Sequence, residues 1–133
     1  MKYSVWKDFK FCAAHRLPQH LGKCYNLHGH NYKLRVTLEG EELNDKDFIK
    51  DFGDIKSVVN AEIIAKVDHA FIGQKSDLDR DHSQKFYKIG YYSTAENLCK
   101  HFYNILFMHY GDLLKEVKLW ETETSGATYT ELS

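Results

Sequence analysis

The sequence predicts a single α+β domain over residues 1–133, and three features carry that expectation. Apolar and polar residues alternate from Ser4 to His15 and again from His28 to Glu39, the period-2 signature of strands with one buried face. Two later segments place apolar residues at helical spacing. Two more alternating runs then close the chain, giving the order β-β-α-α-β-β with both helices on one face of an antiparallel sheet.

In the first strand Val5, Phe9, Phe11, Ala13 and His15 share a face. A connection with Pro18, Gly22 and Lys23 follows. The second strand carries His28, His30, Tyr32, Leu34, Val36 and Leu38 on one side, and Gly40 ends it. These two strands are expected to pair as a long antiparallel ribbon. Phe48–Phe52 reads as a short extra strand, and Asp54 as the N-cap of a helix burying Ile55, Val58, Val59, Ile63 and Val67. Residues 73–92 are polar and read as an exposed loop. Ser93-Thr94-Ala95-Glu96 has capping-box spacing ahead of a helix burying Leu98, Cys99, Phe102, Ile105 and Leu106. Lys115–Thr122 and Ala127–Leu132 read as the last strands, joined at Ser125-Gly126.

The totals narrow the function. With 18 Lys+Arg against 19 Asp+Glu, the formal net charge is −1, which gives no support for nucleic-acid or membrane-surface binding. The first residues are charged and lack an apolar signal region, and no run is long enough to span a bilayer, so a cytoplasmic location is expected. The 3 cysteines, Cys12, Cys24 and Cys99, form no C-x-x-C pair, so neither a disulfide framework nor a cysteine zinc finger fits.

The histidines stand out. Residues two apart on a strand project the same way, so His28 and His30 lie side by side, and His15 ends the apolar face of the partner strand. Three imidazoles that converge and leave a fourth position open make the usual catalytic zinc site. The alternative is that each is a hydrogen-bonded core histidine. His20, His82, His101 and His109 have no partners at matching spacing.

Several groups suit acid–base work. Cys24, next to Lys23 and four residues before His28, can be a thiolate base or nucleophile, a fourth metal ligand, or an ordinary loop cysteine. Cys12 faces away from His15, and Cys99 falls on a core stripe. Asp68-His69 ends the first helix: the carboxylate can orient the imidazole, or His69 can simply meet the helix C-terminus. Glu121 shares a face with Val117 and Leu119, where an acid needs a partner; the alternative is that the strand end has reached solvent. Asp51, Asp54 and Glu96 are explained as turn and capping residues.

Taken together, these segments resemble the pyruvoyl-tetrahydropterin synthase superfamily. Phe9-Lys10-Phe11-Cys12-Ala13-Ala14-His15-Arg16-Leu17 is similar to its F-x-F-x-A-A-H-x-L opening. Gly22-Lys23-Cys24 followed by His28-Gly29-His30-Asn31-Tyr32 is similar to its G-K-C…H-G-H-N-Y motif. Asp51-Phe52, Asp68-His69, Thr94-Ala95-Glu96-Asn97 and Glu121-Thr122 match later motifs in family order. Three residues separate Cys24 from His28, as in the 6-carboxy-tetrahydropterin synthase branch; the 6-pyruvoyl synthases usually have a longer gap. Tyr25, Asn26 and Leu27 argue against a third branch that places a glutamate here. The family's usual proline before Thr94 is Ser93 in this chain, and the 73–92 loop looks longer than usual.

The resemblance implies a T-fold (tunnelling fold), a four-stranded antiparallel sheet with two helices on one side. It implies a homo-oligomer, a hexamer built as a dimer of trimers, with sites between subunits. His15, His28 and His30 would hold Zn2+. Cys24 would be the base, and Asp68 and His69 would complete a proton relay. Glu121 would grip the guanidine-like edge of a pterin, and Thr94 would contact its ring. The implied reaction converts 7,8-dihydroneopterin triphosphate to 6-carboxy-5,6,7,8-tetrahydropterin with loss of acetaldehyde and triphosphate. Two alternatives stay open: 6-pyruvoyl-tetrahydropterin synthesis, and a non-catalytic zinc-binding module. Arg16 and Lys23 are candidate triphosphate contacts on charge and position.

Overall fold

In a computed structural model of the chain, the described residues are 1–20, 22, 26–74 and 85–131. They form an α+β fold. Strands β1 (Tyr3–His15) and β2 (His28–Gly40) pair antiparallel along their whole length, from Tyr3 opposite Gly40 to His15 opposite His28. β5 (Leu114–Thr122) lies antiparallel to β2, and β6 (Ser125–Tyr129) antiparallel to β5. The expected four-stranded antiparallel core is thus present, but the sheet is larger. Two short strands, β3 (Ala70–Gly73) and β4 (Phe86–Lys88), add in parallel to the free side of β1, giving the order β4-β3-β1-β2-β5-β6.

That addition corrects the reading of residues 73–92 as an exposed loop. Ile89 is buried, and Tyr87 and Tyr91 each place a hydroxyl 2.7 Å from a ring nitrogen of His101. Their rings pack on His101 midway along the second helix, a tertiary use that the apolar and aromatic residues at 86–92 allow but do not specify. Residues 75–84, including His82, lie outside the described residues.

The first helix starts earlier than expected. Asp51, not Asp54, is its N-cap: the Asp51 backbone is extended, and its Oδ1 accepts from Gly53 N at 2.7 Å. No strand forms at 48–52; Phe52 already begins α1 (Phe52–Val59). A π-helical stretch, Asn60–Ile64, carries the chain into a last turn, α2 (Ala65–Val67). The buried positions Ile55, Val59, Ile63 and Val67 recur every fourth residue. That repeat is wider than the 3.6 of an α-helix, and the i→i+5 bonding of the π stretch keeps all four on the sheet.

Helix α3 (Ala95–Tyr110) is capped by Thr94, whose Oγ1 accepts from Asn97 N at 3.1 Å. This replaces the capping box expected from Ser93, which is drawn into the interior instead. Leu98, Cys99, Phe102 and Leu106 face inward as expected. The Cys99 thiol donates to Val117 O at 2.9 Å, and burial pushes its pKa up to about 12. The final turn falls at residues 123–124 rather than at Ser125-Gly126, which already belong to β6. Gly126 sits so close to the backbone of Leu119 that a Cβ there would collide with its carbonyl.

The helices cover the face that carries Phe9, Phe11, Tyr32, Leu34, Val36, Leu38, Val117 and Leu119, all buried. The opposite face carries Trp6, Asp8, Lys10, Cys12, Asn31, Lys33, Arg35, Lys118 and Trp120, none of them buried. Among the described residues no helix is long and apolar enough to cross a membrane.

Candidate metal centre and acid–base pair

The β1–β2 register builds the centre. His15 and His28 are direct cross-strand partners, and His30 stands opposite Ala13 on the same face. The three rings lie with centroids 4.5, 5.0 and 4.8 Å apart, and one nitrogen from each falls within 4.8 Å of the others. The sheet core ends here, so His15 is fully buried while His28 and His30 are half-buried.

Two carbonyls orient the imidazoles. His15 Nδ1 donates to Ser93 O at 2.8 Å, and His28 Nδ1 donates to Asn26 O at 2.7 Å. A proton held at Nδ1 leaves the Nε2 lone pair for a ligand, the usual way a second interaction sets a metal-binding tautomer. Burial pulls the His15 pKa down to about 4 and lowers that of His30, with the neighbouring His28 acting in the same direction. Neutral imidazole is the ligating form. The Nε2 of His28 is buried without a hydrogen-bond partner, and the Nε2 atoms of His15 and His30 face each other at 3.1 Å. An orphaned lone pair beside two convergent nitrogens is a donor set suited to a metal ion.

Glu121 completes this half of the site. Its carboxylate oxygens lie 3.9 Å from His15 Nε2 and 4.0 Å from His30 Nε2. Burial raises its pKa against the opposing influence of His28, and Glu96 in the first turn of α3 adds to the rise. Glu121 itself is half-buried, while Thr122 and Glu123 just beyond it are exposed.

Asp68 and His69 form a second, separate couple. Asp68 Oδ1 lies 3.1 Å from His69 Nδ1 and accepts the Cys12 N–H at 3.0 Å. That N–H holds the Asp68 carboxyl below the usual carboxylate range, and His69 reinforces it. His69 adopts a left-handed backbone, φ 62°, which turns its ring outward, 78% exposed. It does not serve the helix C-terminus; Lys85 Nζ does, donating to Ala65 O at 2.8 Å and Asp68 O at 2.7 Å. Among the described residues, no hydrogen bond or ion pair joins this couple to His15, His28 or Glu121, although His30 and His69 line one shallow depression of about 340 Å³.

The remaining candidates divide. The Thr94 hydroxyl accepts a helix cap bond. Arg16 follows directly on β1 and is half-buried. Cys24 and Lys23 lie outside the described residues. Cys12 does face away from His15, its thiol 2.9 Å from Asn31 Oδ1. Ser93 and Asn26 were not legible as site residues, because each contributes through a main-chain carbonyl that any residue type carries. Only its departure from the proline that the resemblance expects before Thr94 drew attention to Ser93.

Comparisons with known proteins show the family. The family model described as 6-pyruvoyl tetrahydropterin synthase matches residues 4–132. The 6-carboxy-5,6,7,8-tetrahydropterin synthase of Haemophilus influenzae is 35% identical over 97% of this chain and 99% of its own length. That of Aquifex aeolicus is 33% identical over 98% of this chain and 99% of its own length. The structure of Caenorhabditis elegans 6-pyruvoyl tetrahydropterin synthase superposes with a TM-score of 0.77 at 26% identity, covering 99% of this chain and 97% of that one. With a family match spanning nearly every residue and the histidine triad assembled at its core edge, the chain belongs to the 6-pyruvoyl tetrahydropterin synthase family.

Proposed function

We propose that the chain is a zinc-dependent 6-carboxy-tetrahydropterin synthase. Its substrate is 7,8-dihydroneopterin triphosphate, which with water yields 6-carboxy-5,6,7,8-tetrahydropterin, acetaldehyde and triphosphate. The observation that carries this reading is the convergent histidine triad with its orphaned His28 Nε2, set against Glu121. The nearly full-length similarity to synthases of that name supports this branch over its sister.

His15, His28 and His30 hold zinc, which when bound supplies Lewis acidity toward the oxygens of the substrate side chain. Glu121 accepts two N–H bonds from the guanidine-like edge of the pterin, a bidentate arrangement that fixes the ring. Thr94, at the start of α3, borders the ring. Asp68 keeps the Nδ1 proton on His69 and so presents the exposed Nε2 as the atom that takes or returns a proton. Cys24 is the thiolate base that removes a proton from the side chain.

The exposed His69 and the enclosed triad are halves of a site completed between copies of the chain, in a hexamer made of two trimers working in the cytoplasm. The product belongs to a route toward queuosine and other deazapurines. Mass spectrometry of the products from zinc-loaded protein and dihydroneopterin triphosphate tests the reading. Carboxy-tetrahydropterin with acetaldehyde supports it. A pyruvoyl-tetrahydropterin product moves the chain to the sister branch, and absence of any product leaves a zinc-binding module.

A further inference from the structure

The sheet face opposite the helices has an unusual charge pattern. Lys10 stands directly opposite Lys33 across β1 and β2, and Arg35 directly opposite Lys118 across β2 and β5. Like charges in directly opposed positions destabilise a sheet. Here two such pairs occupy adjacent rows, in a chain whose total charge nearly cancels.

Trp120 is the hub. Lys33 Nζ lies 4.0 Å and Lys118 Nζ 4.6 Å from its ring centre, while the Arg35 guanidinium lies 5.4 Å from it and 3.9 Å from Trp6. The indole tolerates several cations at once because its π-face is electron-rich, but it neutralises none of them. Asp8 balances Arg35 through two bonds of 2.7 and 3.0 Å. Among the described residues no carboxylate forms an ion pair with Lys10, Lys33 or Lys118. Glu116, in the next row, acts on Arg35.

Lys10, Lys33 and Trp120 also line a depression of about 660 Å³ whose other walls include Cys12, Asn31, Asp68 and His69, with Thr122 and Glu123 also on its lining. Its size suits a small molecule. An anion seated over Lys33 is therefore in the same depression as the exposed imidazole.

We propose that this face is a polyphosphate-binding site, built from Lys10, Lys33, Arg35 and Lys118 around Trp120, and that it takes the triphosphate tail of the substrate. The identity of the tail rests on the reading given under Proposed function; the anion site itself does not. It places the tail on the copy that supplies Asp68 and His69, in preference to Arg16 beside the triad. A polyanion offsets the opposed cations and draws on charge-assisted contacts that neutral ligands cannot make.

Both tryptophans of the chain, Trp6 and Trp120, contact Arg35, so intrinsic fluorescence reports on this face. The test is a titration of the full-length, zinc-free protein with inorganic tripolyphosphate, zinc being omitted because tripolyphosphate chelates it. A saturable change in tryptophan emission that weakens as salt is added is expected. The double variant Lys33→Gln, Lys118→Gln should bind at least about tenfold more weakly, with a melting temperature equal to or above that of the parent, because opposed cations have been removed. Lys33→Gln alone should show an intermediate loss, and Lys56→Gln on α1 none.

No saturable response, or a double variant that binds as the parent does, overturns the proposal. So does tighter binding of a single-stranded oligonucleotide than of tripolyphosphate, which would assign the face to nucleic acid. If the synthase reading fails and no pterin product forms, the titration still decides the anion site. If product forms and the double variant leaves KM for dihydroneopterin triphosphate unchanged, the tail assignment fails while the synthase reading stands.

Discussion

The buried imidazole of His15 donates its Nδ1 proton to the main-chain carbonyl of Ser93, 78 residues further along the chain, at 2.8 Å. One bond thus ties the end of β1 to the entry of α3 and fixes which nitrogen of His15 is free. The Ser93 hydroxyl is a lesser contact at 3.3 Å. Because the carbonyl does the orienting, Ser93→Pro should keep zinc affinity within about threefold of the parent, whereas His15→Ala should lower it by at least about a hundredfold. Competition with a chromophoric chelator measures both. A large loss in Ser93→Pro would assign the orientation to the hydroxyl.

Tyr32 lies beneath the triad, its ring centre 5.4 Å from that of His30 and stacked 4.8 Å from Phe11, and its hydroxyl has no hydrogen-bond partner. An unsatisfied buried hydroxyl costs about 1–3 kcal/mol. Tyr32→Phe removes that cost while preserving the stack, so zinc-free Tyr32→Phe should be as stable as the parent or more stable by about 1 kcal/mol. Urea denaturation at equal protein concentration provides the comparison. A loss of stability would mean that the hydroxyl is satisfied, for instance by a buried water.

Asp8 and Arg35 supply a pH-dependent term. The Arg35 hydrogen bonds hold the Asp8 carboxyl below its ordinary value of 3.8. A carboxylate lowered in the folded state contributes stability that is fully present above its unfolded pKa, and that is lost as pH falls through the folded one. The stability gap between the parent and Asp8→Asn should therefore be constant from pH 7 to about 5 and close below about pH 4. For a pair this exposed the gap should not exceed about 1 kcal/mol. Thermal melts across that pH range measure it.

If the site is shared between copies, two dead variants should rescue one another. His15→Ala disables the zinc half and His69→Ala the proton-transfer half. Each alone should lose at least about a hundredfold in kcat, while His69→Ala retains zinc and its melting temperature. Co-refolded in equal amounts, they should recover about a quarter of parental activity, since a quarter of randomly formed sites draw an intact half from each side. Absence of recovery in verified mixed oligomers would place the whole site within one copy.

Local pattern made much of this protein legible. Period-2 alternation in Phe9–His15 and His28–Leu38 specifies two strands whose buried face must carry all three histidines, because shifting either strand by one residue would expose its entire apolar set. The α3 stripe and the core position of Cys99 follow from helical periodicity in the same way. Expectations failed where a choice depended on distant partners. Asp51 rather than Asp54 caps α1, because both are good caps locally and the entry angle of the chain decides between them. Phe86–Lys88 is too short to read as a strand by periodicity, yet β3 offers it an edge.

The amino-acid sequence by itself determined the α+β class, the strands that bear the triad and the family's motif order, because each is written in nearest-neighbour periodicity or residue type. Tertiary structure alone decided that Ser93 and Asn26 orient the imidazoles, that Glu121 meets His15 and His30, that Asp68 and His69 stand apart from them, and that three cations crowd around Trp120. Those relationships are set by strand register and by main-chain carbonyls from remote segments, and neither leaves a mark in local sequence.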